Sequence, residues 1–74
     1  MKLRELLQGK HEIYVAQYVR TNGVDTFKGG CFYVDDGKNP PRLASLDGKE
    51  YSLSQEVLSY EWRENDDLKV WVEK

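Results

Sequence analysis

The sequence predicts an α+β domain: a short N-terminal helix packed on a curled antiparallel sheet of four or five strands, with closure into a small barrel as an alternative. Three observations predict it. Leu3, Leu6 and Leu7 fall at i, i+3 and i+4, one stripe of a helix. Asn22-Gly23 separates two strand-like runs, and both residues tolerate the positive φ of a tight hairpin turn. In the last third, Leu58, Tyr60 and Trp62 alternate with Ser59, Glu61 and Arg63, and after a polar break Leu68, Val70 and Val72 alternate with Lys69, Trp71 and Glu73. Period-two alternation puts each set on one face of a strand, and two such runs around Asn65-Asp66 read as a second hairpin.

Each element has a local cause. Gly9 stands where a helix-ending glycine would. Two helical turns are unstable alone, so the leucines must dock on the sheet. From Glu12 to Arg20 the chain is rich in β-branched and aromatic residues. Ile13, Val15, Gln17 and Val19 share one face and Tyr14, Ala16 and Tyr18 the other, which suits a central strand. A second strand is expected from about Val24 to Val34, with a bulge or bend at Gly29-Gly30. Asp35-Asp36-Gly37-Lys38-Asn39-Pro40-Pro41 reads as a loop, because neither proline can donate to a ladder. Arg42 to Leu46 is then a short edge segment closed by Asp47-Gly48, and Tyr51 ends a further short strand. Ser52 with Gln55 fits a capping box and predicts one helical turn before the final hairpin. Leu58, Tyr60 and Trp62 are expected in the core, with Trp71 pointing the other way.

The 74 residues make one domain. A chain this small buries only about 60% of its unfolded surface, so its core is thin. The lone Cys31 has no internal disulfide partner, which suits a reducing cytoplasm. The N-terminal residues lack the apolar run of a signal peptide, and no stretch approaches the ~20 apolar residues of a membrane helix. Net charge is −2. Residues 1–34 carry five basic and three acidic side chains, and residues 35–74 carry six basic and ten acidic. Nonspecific nucleic-acid binding draws its affinity from phosphate neutralisation, so this balance argues against it.

No residue cluster reads as a catalytic or metal centre, and neither a cofactor nor a metal is expected. His11 sits at a junction and reads as an exposed turn residue. Cys31, inside a predicted strand, reads as a small buried hydrophobe. One Cys and one His do not supply a structural zinc site. Asp35-Asp36 and Asp66-Asp67 fall in turns, where Asp bonds its own backbone. The chain is therefore expected not to be an enzyme.

The nine aromatic residues carry the functional reading. Tyr14, Tyr18, Tyr33 and Trp71 are expected on one side of the sheet as an exposed patch that binds a partner, since Tyr and Trp bury large area at low entropy cost. The function expected is a non-catalytic interaction module that meets another protein or a second copy of itself. The alternative is a single-strand nucleic-acid binder stacking bases on Tyr14, Tyr18 and Tyr33, with Arg20 and Lys28 on phosphates.

Met1, Leu3, Glu5, Leu6 and Leu7 at the start, with Val57 to Tyr60 and Leu68 to Val72 at the end, resemble the pattern of small helix-plus-sheet proteins of unknown function from phages and mobile elements of Gram-positive bacteria. The resemblance covers the two ends of the chain and departs at Gly29-Gly30-Cys31 and Pro40-Pro41. It implies a cytoplasmic accessory protein with a small α+β fold, and it supplies no catalytic residues.

Overall fold

The computed structural model describes residues 1–64 and 66–73. It contains one helix, α1 (Leu3–Leu7), and five strands, β1 (Glu12–Thr21), β2 (Val24–Val34), β3 (Arg42–Ser45), β4 (Ser59–Arg63) and β5 (Asp67–Trp71). The strands form one sheet in the order β3-β2-β1-β5-β4. β1, β2 and β3 make an antiparallel meander. β4 and β5 make an antiparallel hairpin. The two units join where β5 lies beside β1, and that pairing is parallel.

The sheet is thus mixed, not antiparallel throughout as alternation suggested. The reason is the connection. Residues 46–58 carry the chain from β3 at one edge to β4 at the other. The returning hairpin sets its second strand, not its first, against β1. Among the described residues no further strand pairs with β3 or β4, so the sheet is open and a barrel is not shown.

The turns follow local chemistry. Asn22 and Gly23 take φ of 51° and 79°, and Thr21 pairs with Val24 across them. This is the positive-φ hairpin turn whose twist matches the flanking strands. Asp66 also has positive φ, 58°; the Asn65 half of the expected second turn lies outside the described residues. Pairing shifts between Gln17↔Gly29 and Tyr18↔Phe27, so Lys28 is the extra residue of a bulge. The Lys49 ammonium donates to the Lys28 carbonyl at 2.7 Å, which gives a carbonyl at the bulge a partner. In the β2–β3 loop, Asp36 accepts from the Lys38 and Asn39 backbone N–H groups at 2.9 and 3.0 Å, the turn role expected of it.

One face of the sheet carries the core. Leu3, Leu7, Ile13, Val15, Cys31, Tyr33, Val57, Leu68, Val70 and Val72 form its buried cluster, with Leu6, Val19, Leu43, Tyr51 and Leu53 packed around it. The lid on this face is α1 together with the crossover. The Leu3 and Arg4 N–H groups, unpaired within any helix, donate to the Gln55 and Leu53 carbonyls at 2.9 and 3.0 Å. In return, Val57 N–H donates to the Met1 carbonyl at 2.7 Å. The crossover contains no strand at Tyr51. Ser52–Gln55 is a turn, closed by Gln55 N–H on the Ser52 carbonyl at 3.1 Å, rather than the expected helical turn. Its residues are spent on pairing with α1 and on placing Tyr51, Leu53 and Val57 over the sheet.

Three residues expected in the core are outside it: Leu58, Tyr60 and Trp62 are 64%, 45% and 39% exposed. Tyr60 and Trp62 do lie on the core side, opposite Val70 and Leu68. They fail to be buried because β4 is the outermost strand. The Lys10 ammonium sits 5.1 Å from the centre of the Trp62 ring.

Candidate functional site

Among the described residues neither helix nor crossover covers the opposite face of the sheet. β1 contributes Glu12, Tyr14, Ala16, Tyr18 and Arg20, every second residue of the central strand. Cross-strand register places Phe32, Gly30, Phe27 and Asp25 beside them from β2, and Asp67, Lys69 and Trp71 from β5. Five aromatic rings therefore share the open face. Phe27 and Phe32 are exposed, while Tyr14, Tyr18 and Trp71 are half-buried among their neighbours.

The rings form two groups. Tyr14 and Phe32 meet at 5.8 Å between centroids. Tyr18 meets Phe27 edge-on at 5.5 Å and Trp71 at 6.3 Å. Tyr14 lies across Gly30, where an added Cβ would come within 2.6 Å of its hydroxyl and 2.9 Å of its ring. Glycine at position 30 thus lets a large ring lie flat on the strand beside it. Burial and the Asp67 carboxylate raise the Tyr14 hydroxyl pKa, so it is a neutral phenol at physiological pH.

Two cations frame the second group. The Lys69 ammonium lies 4.5 Å from the Tyr18 ring centre and 4.9 Å from that of Trp71. The Arg20 guanidinium lies 4.9 Å from Trp71. Such contacts draw the cation to the negative face of the ring. Arg20 also grips Asp25 in a two-point pair at 2.7 and 3.3 Å. That pair raises the arginine pKa and lowers the aspartate pKa. The Trp71 indole N–H is near enough to Asp25 to help hold its pKa down, yet makes no bond of ordinary geometry.

At the paired positions of this face the charges balance, while the bulged Lys28 has no partner in the register. Arg20, Arg42, Arg63 and Lys69 stand against Glu12, Asp25, Glu61 and Asp67, and the register opposes Arg20 to Asp25, Glu61 to Lys69, and Arg63 to Asp67. The face is an aromatic centre within a rim of mixed charge.

Of the four residues expected on this patch, the structure brings together Tyr14, Tyr18 and Trp71. Tyr33 is on the other side, 5% exposed and opposite Ile13 in the core. The bulge explains the correction. An unbroken strand would put Tyr33 on the same side as Phe27; the extra residue at Lys28 reverses the alternation, so Tyr33 turns inward and Phe32 outward. Phe27 and Phe32 are the members sequence reasoning missed. The signal for Phe27 was the Asn22-Gly23 turn, which sets it opposite Tyr18, and the signal for Phe32 was Gly29-Gly30, whose bulge changes the parity of the strand.

The remaining candidates are separated. Cys31 is fully buried, and burial pushes its thiol pKa up to about 11. His11 is exposed, its Nδ1 3.4 Å from the Asp35 carbonyl. His11, Glu12, Asp35, Asp36 and Asp66 border a shallow depression of about 510 Å³. Among the described residues, however, no three His, Cys, Asp or Glu side chains converge to hold a metal ion. No described helix is long and apolar enough to cross a membrane. No family model, curated protein or solved structure matches the chain.

Proposed function

We propose that this domain is a non-catalytic protein-binding module and that the aromatic sheet face is its docking surface. One observation carries the reading: five aromatic rings share the face that the helix and crossover leave bare, inside a rim whose paired charges cancel. An aromatic centre with a polar rim is the anatomy of a protein interface. The half-buried rings are held by their neighbours, so little side-chain freedom is lost on binding. A cytoplasmic accessory role, of the kind implied by the resemblance to small phage and mobile-element proteins, belongs to the same proposal.

The test compares capture by tagged wild-type protein and by the Phe27→Ala and Trp71→Ala variants. A partner retained by wild type and bound about tenfold or more weakly by both variants supports the reading. Identical capture by all three counts against this face. Far-ultraviolet circular dichroism checks that each variant is folded.

A second reading has its own support: Tyr18 and Trp71, flanked by Arg20 and Lys69, also resemble a base-stacking platform. The mixed-charge rim and the engagement of Arg20 with Asp25 favour a protein partner instead. A salt titration with labelled oligonucleotides separates them. Micromolar or tighter binding that weakens steeply with salt would select the nucleic acid.

A further inference from the structure

The two edges of the sheet are treated differently. β3 has four residues and follows directly on Pro40-Pro41, which shortens and blunts that edge. β4 has five residues, all exposed, and contains neither proline nor lysine. On its outer side every second backbone N–H and C=O points away from β5, and among the described residues no strand pairs there. Tyr60 and Trp62 stand exposed on the core side of this strand, where in-chain cover ends. An edge with free backbone groups and unburied aromatics is a site for strand addition.

We propose that β4 pairs with β4 of a second copy of this chain, antiparallel and about a two-fold axis, to give a continuous ten-stranded sheet. The charge pattern of the strand selects both the occupant and the register. In an antiparallel pair, opposed residues share a face, and a two-fold axis normal to the sheet preserves faces. The axis must therefore pass through a residue pair, each residue opposite its own copy. Centring on Glu61 or Arg63 sets like charges against each other. Centring on Tyr60 leaves both charges without an opposite partner. Centring on Trp62 opposes Glu61 of each copy to Arg63 of the other and stacks the two Trp62 side chains at the axis. The strand is complementary to itself in that one register. This edge pairing leaves the aromatic centre uncovered, although Glu61 and Arg63 also belong to the rim of that face. In the dimer, both copies of that face look to the same side.

The experiment measures the mass of the chain in solution by sedimentation equilibrium over a range of concentrations, for wild type, Glu61→Arg, Arg63→Glu and the doubly reversed variant. Circular dichroism confirms folding; these exposed positions leave the core intact. Wild type is expected to form a dimer of two 8.7 kDa chains. Each single reversal creates two like-charge oppositions across the axis and should weaken the dimer about tenfold or more. The double reversal re-forms both pairs and should restore it. A wild-type monomer at millimolar concentration overturns the proposal. So does a dimer indifferent to the single reversals, or one that the double reversal fails to rescue. Loss of partner capture by Phe27→Ala or Trp71→Ala with the dimer intact would show that edge and face act separately.

Discussion

Gln17 is the polar side chain that the core has to accommodate. It is 2% exposed on β1, opposite Gly29 and Val70, and among the described residues its Nε2 has no hydrogen-bond partner. A buried unpaired amide costs about 1–3 kcal/mol. Methionine has nearly the same shape and no donor to satisfy, so Gln17→Met is expected to raise the urea midpoint, with a stability gain of about 1 kcal/mol or more. A lower midpoint would show that the amide contributes more than it costs. Asp47 is the opposite case, an exposed carboxylate with many partners. It accepts from the Tyr51 hydroxyl at 2.6 Å, the Lys49 N–H at 3.0 Å and the Ser45 hydroxyl at 3.1 Å. These bonds, the Tyr51 bond foremost, hold its pKa below the usual carboxylate value. A depressed folded pKa gives stability that is present above the unfolded value, near ~4, and lost as pH falls through the folded one. Asp25, Asp36 and Glu56 are lowered too and act in the same direction. The melting temperature should therefore fall as pH drops below about 4, and Asp47→Asn should flatten part of that limb. An unchanged acid limb in the variant would remove Asp47 from the account.

At the scale of elements, α1 is held by two leucines more than by three. Leu3 and Leu7 are fully buried, whereas Leu6 is only partly so. Leu7→Ala is expected to cost about 2–5 kcal/mol, comparable with the ~3–5 kcal/mol that a core of this size supplies. The variant should be largely unfolded by circular dichroism at 25 °C. Leu6→Ala should lose less and remain folded; equal losses would contradict the burial assignment. The helix, its ending at Gly9 and the Asn22-Gly23 turn were legible in the sequence because each depends on neighbours within a few residues. Three of the five aromatic residues on the open face were legible from strand alternation alone. Phe27 follows from the register of the Asn22-Gly23 turn, which sets it opposite Tyr18, whereas Phe32 does not, because the bulge at Lys28 changes parity without changing composition. The exposure of Tyr60 and Trp62 was hidden for another reason. Alternation reports which side of a strand a residue occupies, while burial also depends on whether that strand is central or marginal. Nothing local to residues 58–63 announces that they will form an edge.

For the whole molecule, the unreadable fact was the neighbour of β1. Parallel pairing of β1 with β5 joins residues about fifty positions apart, and it follows from the path of the crossover rather than from any pattern within either strand. The same seam decides how the domain should respond to force. The chain enters β1 at one end of the pair and leaves β5 at the other. Tension applied between Lys10 and Val72 therefore drags the two strands lengthwise past each other, so the bonds from Tyr14↔Asp67 to Tyr18↔Trp71 share the load at once. Tension between Leu58 and Val72 instead peels β4 from β5 one rung at a time. Single-molecule extension should find a markedly higher rupture force for the first attachment than for the second. Equal forces would mean that the β1–β5 seam is not the mechanical clamp of the fold. With the clamp in place, a domain with a thin core still resists pulling along its strands, because mechanical strength depends on the direction of loading and not only on the free energy of unfolding.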